Sequence, residues 1–147
     1  VSVARESGSS KYRDIPNLKL PQEEEIKKKI TESLKQKFML SSLDISVVAE
    51  PASVFDKRDP ATSALLYVHI NYMPYEKMAN NTIIAGAMGP TMKRINPNKN
   101  GRAKYLMLPA KPVIFFVNSN AQQNAESLDL AIESLTSTLM KQIAHKY

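Results

Sequence analysis

The chain has 147 residues, 43% of them hydrophobic and 23% charged, with a formal net charge of +6. That length suits one ordinary domain with a single core, and the basic balance permits, without demanding, an anionic partner. The absence of cysteine excludes disulfides, thiolate metal sites and cysteine nucleophiles together.

Residues 1–20 are predicted to form an extended arm or tether, with residues 21–147 as a single α+β domain. Ser7-Gly8-Ser9-Ser10 is a flexible composition, and Pro16 and Pro21 interrupt any helix. Ile15, Leu18 and Leu20 are candidates to dock on the body as a strap. No apolar run approaches the ~18 residues of a membrane helix, and no charged start leads into an apolar block as in an export signal. Because the chain opens on Val1, a processed product is expected, and any membrane link would run only through a removed N-terminal anchor.

The first helix is predicted over about 22–38. Pro21 suits a helix start, and Glu23, Glu24 and Glu25 place negative charge where the helix dipole favours it. Lys27, Lys28 and Lys29 follow four residues later, so each acid is expected to pair along the helix. Ile26, Ile30, Leu34 and Phe38 form the apolar stripe. The charge run is read as a solvated outer face, because its acids neutralise its bases locally.

Leu43, Ile45 and Val47 alternate with polar residues and predict a half-buried strand. Asp56-Lys57-Arg58-Asp59-Pro60 predicts a polar turn. Ala64 to Tyr72 is the clearest strand, with Leu66, Val68, Ile70 and Tyr72 on one face and Leu65, Tyr67, His69 and Asn71 on the other. His69 is read as a structural hydrogen-bonding residue, since no second histidine lies near it in sequence. Residues 73–103 hold three of the four glycines and read as the least regular part, with an exposed loop over 96–101. Tyr105 to Leu108 and Val113 to Val117 predict a strand pair. Asn118-Ser119-Asn120 offers N-cap chemistry for a second helix over about 122–146, whose stripe is Leu128, Ala131, Ile132, Leu135, Leu139 and Ile143.

No metal-ligand spacing, nucleophile elbow, phosphate loop or dinucleotide fingerprint is present, so no catalytic residue, metal or cofactor is expected. A small hydrolase or transferase would need a deep pocket, with His69 as its candidate centre. The segment Ile83-Ile84-Ala85-Gly86-Ala87-Met88-Gly89-Pro90-Thr91-Met92-Lys93-Arg94-Ile95 resembles the surroundings of the GxxG loop of KH RNA-binding domains. In that family the loop joins two short helices and clamps the nucleic-acid backbone. The resemblance implies a single-stranded nucleic-acid site of Gly86, Gly89, Lys93, Arg94, Lys99 and Arg102.

The fold class is predicted as α+β: an antiparallel sheet of three to five strands with the two helices packed on one face. The order of elements is similar in layout to small accessory domains of the bacterial cell envelope, often lipoproteins. The leading functional expectation is a non-catalytic binding or scaffold module of the periplasm or cell envelope, part of a larger assembly with protein partners or copies of itself. The alternatives are a cytoplasmic placement and the nucleic-acid site above.

Overall fold

The computed structural model describes residues 1–5, 20–41, 45–49, 64–78, 81–95, 103–106 and 112–146. Strand β1 (Ser2–Arg5) is followed by helix α1 (Glu23–Met39), then β2 (Leu65–Met78), β3 (Asn81–Ile95), β4 (Ala103–Leu106), β5 (Val113–Val117) and helix α2 (Ala121–Lys146). The strands form one mixed, mostly antiparallel sheet in the order β1-β2-β3-β4, with β5 also on β3. The α+β class and both helices match the expectation, each helix to within one residue.

Both apolar stripes close on the same side of the sheet. Ile26, Ile30, Leu34 and Phe38 of α1 and Leu128, Ile132, Leu135 and Leu139 of α2 meet Leu66, Val68, Ile70, Ile84, Met88, Phe115 and Val117 in one core. Spacing of three and four along each helix keeps a stripe aligned, and alternate residues of each strand supply the facing wall. The ring of Tyr72 meets that of Phe115 edge-on, with centroids 5.8 Å apart, a favoured aromatic geometry.

Between the helices runs a polar seam. Lys29 Nζ lies 2.8 Å from Asp129 Oδ1, and Lys37 Nζ lies 2.6 Å from Glu133 Oε1. Lys29, which its spacing paired with Glu25, reaches across to α2 instead, while Lys27 stands 3.8 Å from Glu24 at a spacing of three. The Ser33 and Thr136 hydroxyls sit 2.8 Å apart in the same seam. Thr136 is fully buried and donates to the Ile132 carbonyl at 2.8 Å. With that proton committed, Ser33 is the donor of the pair.

Three expectations are corrected. The sheet is not wholly antiparallel: β1 pairs parallel with β2, Ser2 opposite Tyr67 and Arg5 opposite Ile70. A parallel pair needs a long crossover, usually a helix, and α1 lies in that connection. The sheet therefore begins inside the stretch read as an arm. The predicted strand of Leu43, Ile45 and Val47 joins no ladder over 45–49. Ile45 and Val47 still pack on the core, so the alternation reported burial without strand pairing. The third correction is the largest. Residues 73–103 contain the end of β2 and all of β3, which pair from Leu65 opposite Lys93 to Met78 opposite Asn81.

The punctuating residues of that segment sit where a sheet tolerates them. A register shift between Pro74 and Glu76 marks a bulge, a position where a strand accepts proline. Pro90 lies between two pairings of β3: Met92 opposite Leu106 of β4, and Met88 opposite Val113 of β5. A residue without an N–H fits a break in the ladder. The predicted turn at 56–60, the loop at 96–101 and the strap residues Ile15 and Leu18 lie outside the described residues, whereas Leu20 packs on the core.

Candidate functional site

The helices cover one face of the sheet, and the other is exposed in part, with Leu65 and Ala85 buried on it. Odd-numbered positions of β2, β3 and their even-numbered partners on β5 define this second face through the register: Asn71 opposite Ala87 and Ala87 opposite Ile114, then Met73 opposite Ala85 and Ala85 opposite Phe116. Ile114 is 53% exposed, Met73 43% and Phe116 39%, while the alternate residues Phe115 and Val117 are fully buried. His69 and Asn71 are exposed as well.

The face has relief. Its central strand β3 presents Ala85, Ala87, Gly89 and Thr91, all small. On one flank β2 raises Tyr67, His69, Asn71 and Met73, and on the other β5 raises Ile114 and Phe116. The rings of Tyr67 and His69 stand 4.4 Å apart at 55°. The result is a shallow trough between an aromatic-to-thioether ridge and an aliphatic-to-aromatic one. Ala85 at its floor is buried even though its neighbours Met73 and Phe116 are exposed.

The described side chains of the face are uncharged, and the register places Lys93 on the same face, opposite Leu65. The described ion pairs lie on the helical side. There the Lys37 ammonium, by hydrogen bond and then by charge, holds the Glu133 carboxyl below its usual range, and Ser137 adds a further hydrogen bond in the same direction.

The outer side of β5 is hooked to α2. On the outer side of β5 the Phe116 N–H donates to Ser127 Oγ of α2 at 2.9 Å, and the Asn118 N–H donates to Asn124 Oδ1 at 2.8 Å. Asn124 Nδ2 returns a bond of 2.7 Å to the Asn118 carbonyl. Asn120 caps α2 as expected, its Oδ1 accepting from the Gln123 N–H at 3.1 Å. At the opposite edge the Val1 nitrogen donates to the Val48 carbonyl at 3.0 Å. A side chain that takes an edge N–H removes a donor from any strand that would add there.

The nucleic-acid site read from the sequence is not assembled in the way its resemblance implies. Gly86, Gly89, Lys93 and Arg94 all lie in β3, so Gly86–Gly89 is continuous strand and not a loop between two helices. Strand pairing to Arg94 by Lys104 and to Lys93 by Tyr105 leaves no helix after the glycines. Lys99 and Arg102 lie outside the described residues. The two glycines also differ in kind. Gly86 lies opposite Phe115, and a Cβ built on it would come within 2.6 Å of the ring's Cε1, whereas a Cβ on Gly89 meets nothing within 4 Å. Gly86 is thus required by core packing and Gly89 is not.

His69, the candidate catalytic centre, is exposed beside Tyr67. Among the described residues no group of three His, Asp or Glu side chains is placed to hold a metal ion, and no helix is long and apolar enough to cross a membrane. Sequence reasoning missed Ile114 and Phe116 as surface residues. Val113 to Val117 is apolar throughout, so it carries no alternation from which the exposed positions could be read. Comparison with protein-family models, with curated proteins and with solved structures gives no match.

Proposed function

We propose that this chain is a non-catalytic binding or scaffold module, acting within a larger assembly, that docks a protein partner on the uncovered face of its sheet. The observation that carries the reading is the exposure of Ile114, Phe116 and Met73 together on the face of the sheet away from the helices. Aromatic residues and Met are enriched in the cores of interfaces. Contiguous exposed apolar surface of this kind marks interaction sites. The tie of the β5 margin to α2 supports docking through the face over strand addition at that margin. A chain without cysteine suits an exported, cell-envelope setting, which fractionation of the source cells tests.

A photoreactive amino acid placed at Ile114 tests the docking face in living cells, with the same probe at Leu130, 73% exposed on α2, as the control. Covalent adducts to protein are expected from position 114 and not from position 130. Equal or absent labelling at 114 overturns the reading.

The Tyr67–His69 ring pair supports a second reading, in which exposed rings stack the bases of a single strand and the net charge of +6 holds its phosphates. That reading expects oligonucleotide binding that weakens steeply with salt. Titration at low salt without binding removes it.

A further inference from the structure

We infer that the end of the domain where both helices finish is a contact surface for an anionic lipid bilayer. It goes beyond the docking reading and uses the end of the domain, not the open face. The path of the chain carries the first step. Bonds from Phe116 to Ser127 and from Asn118 to Asn124 show α2 running back along β5. Antiparallel steps from β5 to β3 and from β3 to β2 make β5 and β2 run the same way. Helix α2 therefore ends towards Leu65 of β2 and Ile95 of β3. Helix α1 runs in the same sense, because Lys29 meets Asp129 and Ser33 meets Thr136, while the long Lys37 side chain reaches back to Glu133. An antiparallel pair in contact at Ser33 and Thr136 would set Lys29 and Asp129 about 16 Å apart along the axis.

Two properties converge at that end. It gathers cations: Lys35 and Lys141 are exposed there, and the register sets Arg94 of β3 directly opposite Lys104 of β4. Like charges directly opposite in a sheet repel, and an anionic surface relieves that repulsion. Glu23, Glu24 and Glu25, in the first turn of α1, lie at the far end. The links that join elements at the basic end, from α1 to β2 and from β3 to β4, carry four acids and four bases and offset each other. The same end is apolar at its tip. Leu40 is 90% exposed and Met39 76%, at the C-cap and last residue of α1. Val48, 40% exposed, accepts from the Val1 nitrogen at the margin where β1 starts.

Cations beside protruding apolar side chains fit a membrane interface, where headgroups meet the charges and acyl chains take the apolar groups. Each signal alone holds weakly, and lasting attachment takes two. A nucleic acid offers Met39 and Leu40 no apolar medium to enter. A protein partner would need a pocket shaped to side chains that stand clear of the surface, whereas a fluid bilayer accepts them without a matched shape.

The test uses the full chain, whose lack of cysteine makes a single introduced thiol unique. The chain is expected to float with vesicles of equal parts phosphatidylcholine and phosphatidylglycerol, less so as salt rises, and not with phosphatidylcholine alone. Lys35→Gln and Lys141→Gln are each expected to lower partitioning about fivefold, the worth of one cation at an anionic surface. Met39→Ser combined with Leu40→Ser is expected to lower it as well, and all four positions are exposed, so the unfolding midpoint of the parent is retained. An environment-sensitive dye on Leu40→Cys is expected to shift to the blue on the anionic vesicles, and the same dye on Leu130→Cys to stay unchanged. Absence of flotation at low salt overturns the inference, as does a shift at 130 and not at 40, or partitioning that is unchanged without Met39 and Leu40. An oligonucleotide that binds where vesicles do not assigns the cations to nucleic acid and also overturns it. The photoprobe at Ile114 reads the docking face separately, so either surface can fail while the other stands.

Discussion

The ring of Phe115 lies over the backbone of Gly86, its register partner on the neighbouring strand, and occupies the space that a Cβ at position 86 would need. Glycine in a strand interior is weak in itself, so its place here follows from the aromatic ring it admits. Replacing Gly86 with Ala forces the ring out of a fully packed core and is expected to cost about 1–3 kcal/mol, as overpacking does. The Gly89→Ala change meets open space and is expected to leave the urea midpoint unchanged or to raise it slightly. Equal destabilisation by the two changes would contradict the assignment.

Leu135 is fully buried between α2 and the sheet. Truncation to Ala removes its packing and leaves a cavity, with an expected loss of about 2–5 kcal/mol by chemical denaturation. The same truncation at Leu130, on the exposed side of α2, is expected to fall within about 0.5 kcal/mol of the parent. The pair of variants reports directly which side of the helix faces the core.

The Ser33–Thr136 hydroxyl pair joins the two helices in the same seam as the Lys29–Asp129 and Lys37–Glu133 ion pairs. A double-mutant cycle with Ser33→Ala and Thr136→Val isolates it. The coupling is expected at about 0.5–1.5 kcal/mol, the usual net worth of such a bond. Thr136→Val alone keeps the side-chain shape and removes its hydrogen bonds with Ser33, Ile132 and Glu133. A coupling of zero would show that Ser33 satisfies itself elsewhere.

Acid should weaken the helix seam through Glu133. Lys37 holds its carboxyl below the usual range in the folded chain. A depressed carboxylate pKa contributes stability that is complete above the unfolded-state value and is lost as pH falls through the folded one. Thermal midpoints of the parent and of Glu133→Gln are therefore expected to differ by a constant small amount near neutrality and to converge in acid below the ordinary carboxylate range. The difference is small because Glu133 is largely exposed and solvent screens the pair. In the Lys37→Met background the pH dependence of that difference should shrink.

Both helices were legible in the sequence because their stripes repeat over 17 and 26 residues, long enough for period to outweigh any local accident. The start of β2 was legible for the same reason at period two. Strand β3 was not. Gly86, Gly89 and Pro90 are turn formers by local preference, and only pairing with β2, joined at Gly86 by β5, makes them strand residues, a tertiary influence that no window of sequence contains. Strand β1 was hidden because its partner Tyr67 lies more than sixty residues away from Ser2. The docking face was half visible: Tyr67, His69 and Asn71 were placed together on one side of a strand. Ile114 and Phe116 were not, because an all-apolar strand hides which of its sides is wet.

The parallel attachment of β1 also orders events in time. Val3 meets Val68 only after the intervening chain has closed on itself, an entropic toll that grows with loop length, whereas β2 and β3 pair between residues close in sequence, Met78 opposite Asn81. The hairpin can zip from its tip on the microsecond scale of such structures. Amides of β3 should then gain protection from deuterium early in refolding and those of β1 last, so that the opening residues act as a latch closed on a sheet already built.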